Sequence, residues 1–190
     1  MKIAVLAWGS LVWDRRSLEI EGDFRPTGPR LPIEFCRVSS GGRLTLVVEE
    51  ALGTPCVTYA ALSAFGDLDA AIENLRVREG MPTAKAVGHL DLHSKRESTL
   101  ARQRHPDALD MISAWARENG LDAVVWTALA TNFDKASRRK ETFSTGAAIR
   151  HLELLHADEQ EAALTYIRRA PREVQTPVRS AVLSRWATGD

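Results

Sequence analysis

The chain has 190 residues, of which 44% are hydrophobic and 26% charged, as in an ordinary globular protein. A chain of this length can bury enough apolar surface to fold without disulfides or a structural metal, so we expect one main domain. The 25 basic and 25 acidic residues leave a formal net charge of zero. This balance argues against a nucleic-acid partner held by phosphate attraction.

The cysteines and the N-terminal segment bear on the cellular compartment in which we expect the protein. Cys36 and Cys56 lie far apart and form no CxxC motif, so we expect two buried thiols in a reducing environment rather than a zinc site or disulfide framework. The segment MKIAVLAWGS lacks the apolar length and cleavage site of a signal peptide. No stretch reaches the roughly 20 apolar residues of a membrane span. We therefore expect a cytoplasmic protein without a membrane partner.

Strand patterns dominate the first part of the chain. The apolar run KIAVLAW ends at Gly9 and predicts a buried first strand. A polar loop punctuated by Pro and Gly follows at residues 21–30. Three further strands are predicted, the first two as a hairpin about the turn SSGG: LPIEFCRVS, RLTLVVEEA and PCVTYAAL.

A helical period begins after Asp67. Leu68, Ile72 and Leu75 recur at the spacing of one helix face, with Asp67 as the N-cap and Gly80 as the stop signal. The later elements are a strand in AKAVGHLDLH, a helix in PDALDMISAWAREN, a strand in DAVVWTALA, and helices in GAAIRHLELL, DEQEAALTYIRRA and REVQTPVRSAVLSRW. Two helices inserted among strands predict an α+β fold rather than a regular βαβ alternation. We expect a main domain over residues 1–144 and a helical C-terminal extension over 145–190, packed on it.

Glu79 is out of place in the first helix. It is the next member of the stripe formed by Leu68, Ile72 and Leu75, whereas Arg76 and Arg78 fall off that stripe. Burial and the negative end of the helix dipole both disfavour the ionised form of a carboxylate there, which would suit Glu79 to proton transfer near neutral pH. The alternative is that Glu79 turns to solvent or pairs with a nearby arginine.

The stretch LAWGSLVWD, residues 6–14, is the second candidate. Gly9 at a strand end allows close backbone approach to a ligand, and successive amides in a tight loop can bind an anion. The alternative is an ordinary turn after a strand. The stretch is not a P-loop, since no GK[ST] follows, and WGSLV lacks the second glycine of a nucleophile elbow.

Together, these two stretches resemble the gamma-glutamyl cyclotransferase superfamily, in particular its ChaC-like branch. In that family a first strand runs into a Tyr-Gly-Ser-Leu type loop, matched here by Trp8-Gly9-Ser10-Leu11 with Trp13 as the later aromatic residue. The family's catalytic glutamate lies in a QEG or RE element at a helix end, matched here by LRVREG, which places it at Glu79. Order and spacing agree over about residues 2–130.

The resemblance implies a small mixed β-barrel-like sheet flanked by helices. Family members cleave gamma-glutamyl amides or amines without metal or cofactor and release 5-oxoproline, because the α-amine of the substrate attacks its own γ-carbonyl. Glu79 would be the catalytic acid/base. The substrate would contact the loop that holds its α-carboxylate and a pocket residue on a later strand: Ala7, Trp8, Gly9, Ser10, Leu11 and Trp126.

Two tryptophans depart from the family pattern. Trp8 stands where the family has tyrosine, and Trp126 occupies a place where relatives carry a pocket-lining tyrosine. An indole cannot accept a hydrogen bond as a phenol does. The exchange implies a different leaving group, or none, and the particular substrate and the oligomeric state stay open.

The residues themselves leave four questions of function open. A non-catalytic small-molecule-binding protein of the same fold would keep the pocket without the chemistry. His89, Asp91 and His93 in HLDLH could supply three metal ligands, or could be polar residues at a strand edge. A structural partner protein would expose an apolar face over residues 157–186. The basic run KASRRK, residues 135–140, could bind an anion or be a solvated loop.

Overall fold

A computed structural model describes residues 1–135 and 141–187. The strands are β1 (Ile3–Ala7), β2 (Ile20–Arg25), β3 (Arg30–Val38), β4 (Leu44–Val48), β5 (Thr54–Val57), β6 (Tyr59–Ser63), β7 (Val87–Asp91) and β8 (Ala123–Thr127). The helices are α1 (Leu68–Glu79), α2 (Thr99–Arg104), α3 (Pro106–Glu118), α4 (Thr145–Glu153), α5 (Ala157–Arg168) and α6 (Pro177–Arg185). The α+β class is confirmed. Within the described ranges, no helix has the length and apolar character needed to cross a membrane.

The chain forms two compact units, each built from two separate segments. Unit 1 comprises Met1–Leu31 and Val57–Leu129, and unit 2 comprises the described parts of Pro32–Cys56 and Ala130–Asp190. The division of domains at residue 144 stays a prediction.

Unit 1 is built on a mixed five-stranded sheet in the order β2-β6-β1-β8-β7. β1 pairs in parallel with β8 and antiparallel with β6, so that Val5 lies opposite Val125 on one side and Ala61 on the other. Successive side chains of a strand face opposite sides of the sheet. One face is covered by α1, whose Leu68, Ile72 and Leu75 join Ile3, Val5 and Val125 in the core.

Two of the strand predictions are wrong. The loop predicted at residues 21–30 contains most of β2, an edge strand with Phe24 as its one buried residue. The single strand predicted in PCVTYAAL is two strands, because the chain turns at Thr58 and continues into a different sheet. There the Thr58 hydroxyl donates to the Pro29 carbonyl at 2.7 Å, and the Thr58 carbonyl accepts from the Gly28 amide at 3.0 Å.

Unit 2 contains a three-stranded sheet in the order β4-β3-β5 together with α4, α5 and α6. The predicted hairpin is confirmed: β3 and β4 are antiparallel, with Ile33 opposite Val48. The apolar side chains of α5 and α6 are turned inward, including Ala163, Leu164, Ile167, Val178 and Val182. The apolar face expected at residues 157–186 for a structural partner protein is therefore buried, and Leu183 is the one large hydrophobic residue exposed in the described part of that range.

Two buried charged residues, Glu34 and Arg179, hold the start of α6 in place through hydrogen bonds to main-chain groups. Glu34 on β3 accepts from the amides of Phe35 at 2.6 Å and Val178 at 3.4 Å. Burial raises the pKa of Glu34, and these hydrogen bonds together with one from Thr176 act in the opposite direction. The Arg179 guanidinium donates to four main-chain carbonyls, one on the last residue of α5 and three in the segment between α5 and α6: Arg168, Ala170, Pro171 and Val174.

Candidate functional site

Glu79 is the last residue of α1, and its helix ends as predicted. Asp67 caps the first turn by accepting from the Ala70 amide at 2.9 Å, and Gly80 adopts the left-handed conformation with φ 62°. The amide of Gly80 donates to the Val77 carbonyl at 3.0 Å. These caps place Glu79 at the point where the chain leaves the helix.

Arg78 is the buried charged residue of this last turn. Its side chain is 4% exposed, against 19% for Glu79. The prediction that Arg78 falls off the buried stripe is wrong, because Arg78 lies three residues after Leu75 and therefore shares its face. The guanidinium Nη1 donates to Glu79 Oε1 at 2.6 Å. The alternative in which Glu79 pairs with a nearby arginine is thus the one observed.

The residues after β1 form a tight 3-10 turn, which we call the Ser10 turn and define as Gly9–Asp14. The Val12 amide donates to the Gly9 carbonyl at 3.0 Å, and the Asp14 amide donates to the Ser10 carbonyl at 2.7 Å. Ser10 and Leu11 begin the turn, so their amides have no partner within it. Donors in this position are suited to an anion such as a carboxylate.

Arg78 joins the Ser10 turn to Glu79. Its Nη2 lies 3.5 Å from Ser10 Oγ and also donates to the Asp14 carbonyl. Its Nε is buried, with no hydrogen-bond partner in residues 1–135 or 141–187. The two stretches singled out in the sequence therefore meet in unit 1, through an arginine that periodicity had assigned to the surface.

The other predicted loop residues differ in how far solvent reaches them. Gly9 and Ser10 are half-buried. Ala7, Trp8 and Leu11 are buried and belong to the interior of unit 1. Contact between a ligand and this loop is therefore available at Gly9 and Ser10, while the neighbouring side chains hold the loop in place.

Trp126 lies on the opposite face of the sheet from α1 and therefore away from Glu79. Ala123 and Val125 of β8 pack with α1, so the alternating side chain of Trp126 faces the opposite side of the sheet. Its indole is 2% exposed and lies against Gly88 on β7. The structure places Trp126 in the interior, as a packing residue, and gives no support to its predicted role in substrate binding.

The metal-site alternative at His89, Asp91 and His93 gains no support from the geometry. β7 ends at Asp91, so His93 lies beyond the strand, where its Nε2 is 2.7 Å from Asp122 Oδ1. The pKa of His93 is raised by that hydrogen bond, and the pKa of half-buried His89 is lowered by burial. The described residues contain no group of three or more His, Cys, Asp or Glu side chains that could hold a metal. Of the basic run KASRRK, residues 136–140 lie outside the described residues.

The site combines one partly exposed carboxylate, one buried guanidinium and a tight turn whose first amides have no partner within the turn. Such a set can hold an anionic ligand and can exchange a proton with it through the carboxylate. Comparison of the chain with protein-family models, characterised proteins and solved structures finds no match.

Proposed function

We propose that this chain is a gamma-glutamyl cyclotransferase-like enzyme that acts on a gamma-glutamyl amide or amine and releases 5-oxoproline. The observation that supports the proposal is the link from Glu79 through Arg78 to the Ser10 turn. An acid/base and an anion-holding loop are what this reaction requires of the protein. The proposal includes the family's barrel-like arrangement of strands and a site that works without metal or cofactor.

In the proposed reaction the substrate supplies its own nucleophile. The α-amine attacks the γ-carbonyl carbon, the new C–N bond closes a five-membered lactam, and the bond to the departing amine breaks. Glu79 takes a proton from the α-ammonium group and delivers it to the departing nitrogen. The attacking nitrogen loses a second proton as the lactam forms, and this proton also passes to the departing amine, which leaves as an ammonium group, so that proton count and charge balance. Because the attack is intramolecular, much of the acceleration comes from holding the substrate in the reactive conformation.

The substrate's α-carboxylate would bind at the Ser10 turn, where the amide of half-buried Ser10 begins the 3-10 turn. Arg78 adds a positive charge beside that position without being exposed itself. The negative end of the substrate would thereby be fixed on one side of the site, with the γ-carbonyl directed toward Glu79.

The test is product release by the purified protein. Glutathione, gamma-glutamyl amino acids and gamma-glutamyl amines are incubated with it, and 5-oxoproline is measured by mass spectrometry. Glu79→Gln should lower kcat by about 10²- to 10⁴-fold, the usual contribution of a general acid/base. Glu73→Gln is the matched control, since Glu73 lies on the same helix and pairs with Arg76 at 2.7 Å on the surface. Release of no 5-oxoproline from any substrate, or equal activity in both variants, contradicts the proposal.

A second candidate is a non-catalytic small-molecule-binding protein of the same fold. The specific observation in its favour is that Glu79 Oε1 already accepts a hydrogen bond from the buried Arg78 guanidinium at 2.6 Å, so this oxygen is held by the protein rather than directed at a ligand. Under this alternative, Glu79→Gln binds gamma-glutamyl compounds as tightly as the parent in calorimetry, and neither protein releases 5-oxoproline.

A further inference from the structure

Arg78 makes contacts that an ordinary surface arginine does not. Its side chain is 4% exposed, so its charge is removed from water and depends on the groups around it. Those groups belong to two parts of the chain more than 60 residues apart: Glu79, its neighbour, and the Ser10 turn, 64 to 68 residues away. A single planar guanidinium therefore fixes both parts at once.

The contacts reach both ends of the Ser10 turn. One is the hydroxyl of Ser10, where the turn begins, and the other is the carbonyl of Asp14, where it ends. The turn's own hydrogen bonds connect the same two residues, since the Asp14 amide donates to the Ser10 carbonyl at 2.7 Å. Loss of Arg78 removes the donors that tie this turn to α1, while the covalent chain and the core residue Leu11 remain.

The fork geometry of arginine matters here. Nη1 is used for Glu79 and Nη2 for the turn, so the two bonds leave the same rigid plane in different directions. A lysine in this position carries the same charge, but its one ammonium on a flexible chain cannot reproduce both directions. Charge and geometry can therefore be separated by substitution.

We propose that Arg78 is the positioning residue of the site, which holds the Glu79 carboxylate and the Ser10 turn in the relative placement needed for catalysis. It acts through those two groups and does not touch the substrate. The catalytic part of this inference rests on the proposed function, whereas the restraint on the turn does not.

Arg76 provides a matched control on the same helix. It is 26% exposed, and its hydrogen bonds go to Glu73 and to the Met81 carbonyl, all within the neighbourhood of α1. Arg76→Met removes the same charge and the same number of atoms as Arg78→Met, without touching the Ser10 turn.

The first measurement is hydrogen exchange of peptides covering residues 8–18, followed by mass spectrometry. In Arg78→Met, the amides of Val12, Trp13 and Asp14 should exchange about tenfold faster or more, because hydrogen bonds to a charged group are lost. Arg76→Met should match the parent. If these amides exchange at the same rate in Arg78→Met as in the parent protein, the proposal is overturned, whether or not the protein is active.

The second measurement is the steady-state kinetics of 5-oxoproline release by Arg78→Met and Arg78→Lys. In both Arg78 variants kcat should fall about 100-fold while KM changes much less, since misplacement by about 1 Å has effects of this size. A role in stability alone would lower the melting temperature and leave kcat of the folded variants unchanged.

The outcomes separate the two proposals. A parent that releases no 5-oxoproline defeats the proposed function, and the exchange experiment still decides whether Arg78 holds the turn. An active parent whose Arg78→Met variant keeps its kcat defeats the positioning role alone. If Arg78→Met does not fold, the exchange rates and kcat of Arg78→Lys give the same decision.

Discussion

Gly88 and Trp126 lie directly opposite each other on β7 and β8, and the indole ring occupies the space that a side chain at Gly88 would fill. A Cβ at Gly88 would be 2.3 Å from Trp126 Cε2 and 2.5 Å from its Nε1. The ring is 2% exposed and its strand is paired on both sides, so it has little room to retreat. The Trp126 ring therefore leaves no space for a side chain at position 88.

Gly88→Ala should destabilise the protein by about 1–3 kcal/mol, the usual effect of overpacking a core. Gly66→Ala is the matched control, because a Cβ there would meet only the Met1 nitrogen, at an ordinary 3.6 Å. Urea unfolding of both variants checks the difference. Equal losses in the two would show that the indole moves aside without cost.

Arg179→Met should lower the free energy of unfolding by about 2–4 kcal/mol, because the carbonyls of Ala170 and Val174 lose donors at 2.7 Å in the interior. Arg185→Met on the same helix is the control: its ion pair with Glu153 joins side chains 60% and 35% exposed, and such pairs contribute little. Thermal and urea unfolding give the comparison. A similar small loss in both variants would contradict the fastening role of Arg179.

Glu34 should make stability depend on pH. Its pKa in the folded protein is raised above the ordinary 4.5 by burial, so the folded state holds the proton more tightly than the unfolded state. Its favourable contribution is present below pH 4.5 and is lost as pH rises through the higher, folded-state pKa. In Glu34→Gln this decline should be absent, so the variant gains stability relative to the parent as pH rises. Urea unfolding between pH 4 and 8 tests this, and parallel curves for the two proteins would refute it.

Cys36 should resist alkylation while the protein is folded. Its side chain is fully buried, and burial together with the charge of Glu49 raises its pKa to about 12. Since the thiolate is the reactive form, iodoacetamide at pH 8 should leave Cys36 unmodified until denaturant is added. Peptide mapping distinguishes it from Cys56, and rapid labelling of native Cys36 would contradict the expectation.

The sequence predicted the elements in which pattern and capping agree. α1 has a regular apolar face, an aspartate cap and a terminal glycine, and the β3–β4 hairpin has two alternating strands about a glycine turn. It missed β2, whose one buried residue is Phe24, because an edge strand open to solvent has no alternation to detect. It also missed α2, which has six residues and is too short to show a helical period.

For the candidate site, the sequence identified Glu79 and the Ser10 turn but not the residue between them. A charged residue is normally assigned to the surface, and the stripe through Leu75 could be continued to Arg78 or to Glu79. Which of the two is buried depends on Ser10 and Asp14, whose approach to α1 is a tertiary contact. No local pattern contains that information.

The hydrogen bond from the Val178 amide to Glu34 connects residues 144 positions apart in the sequence. During synthesis β3 is therefore made long before α6, and unit 2 cannot complete its interior until α6 has been made. Contacts of such long range also slow folding, because the entropy of closing the loop is lost before any contact compensates for it. Glu34 of β3 therefore lacks the Val178 amide as a donor until α6 has been made.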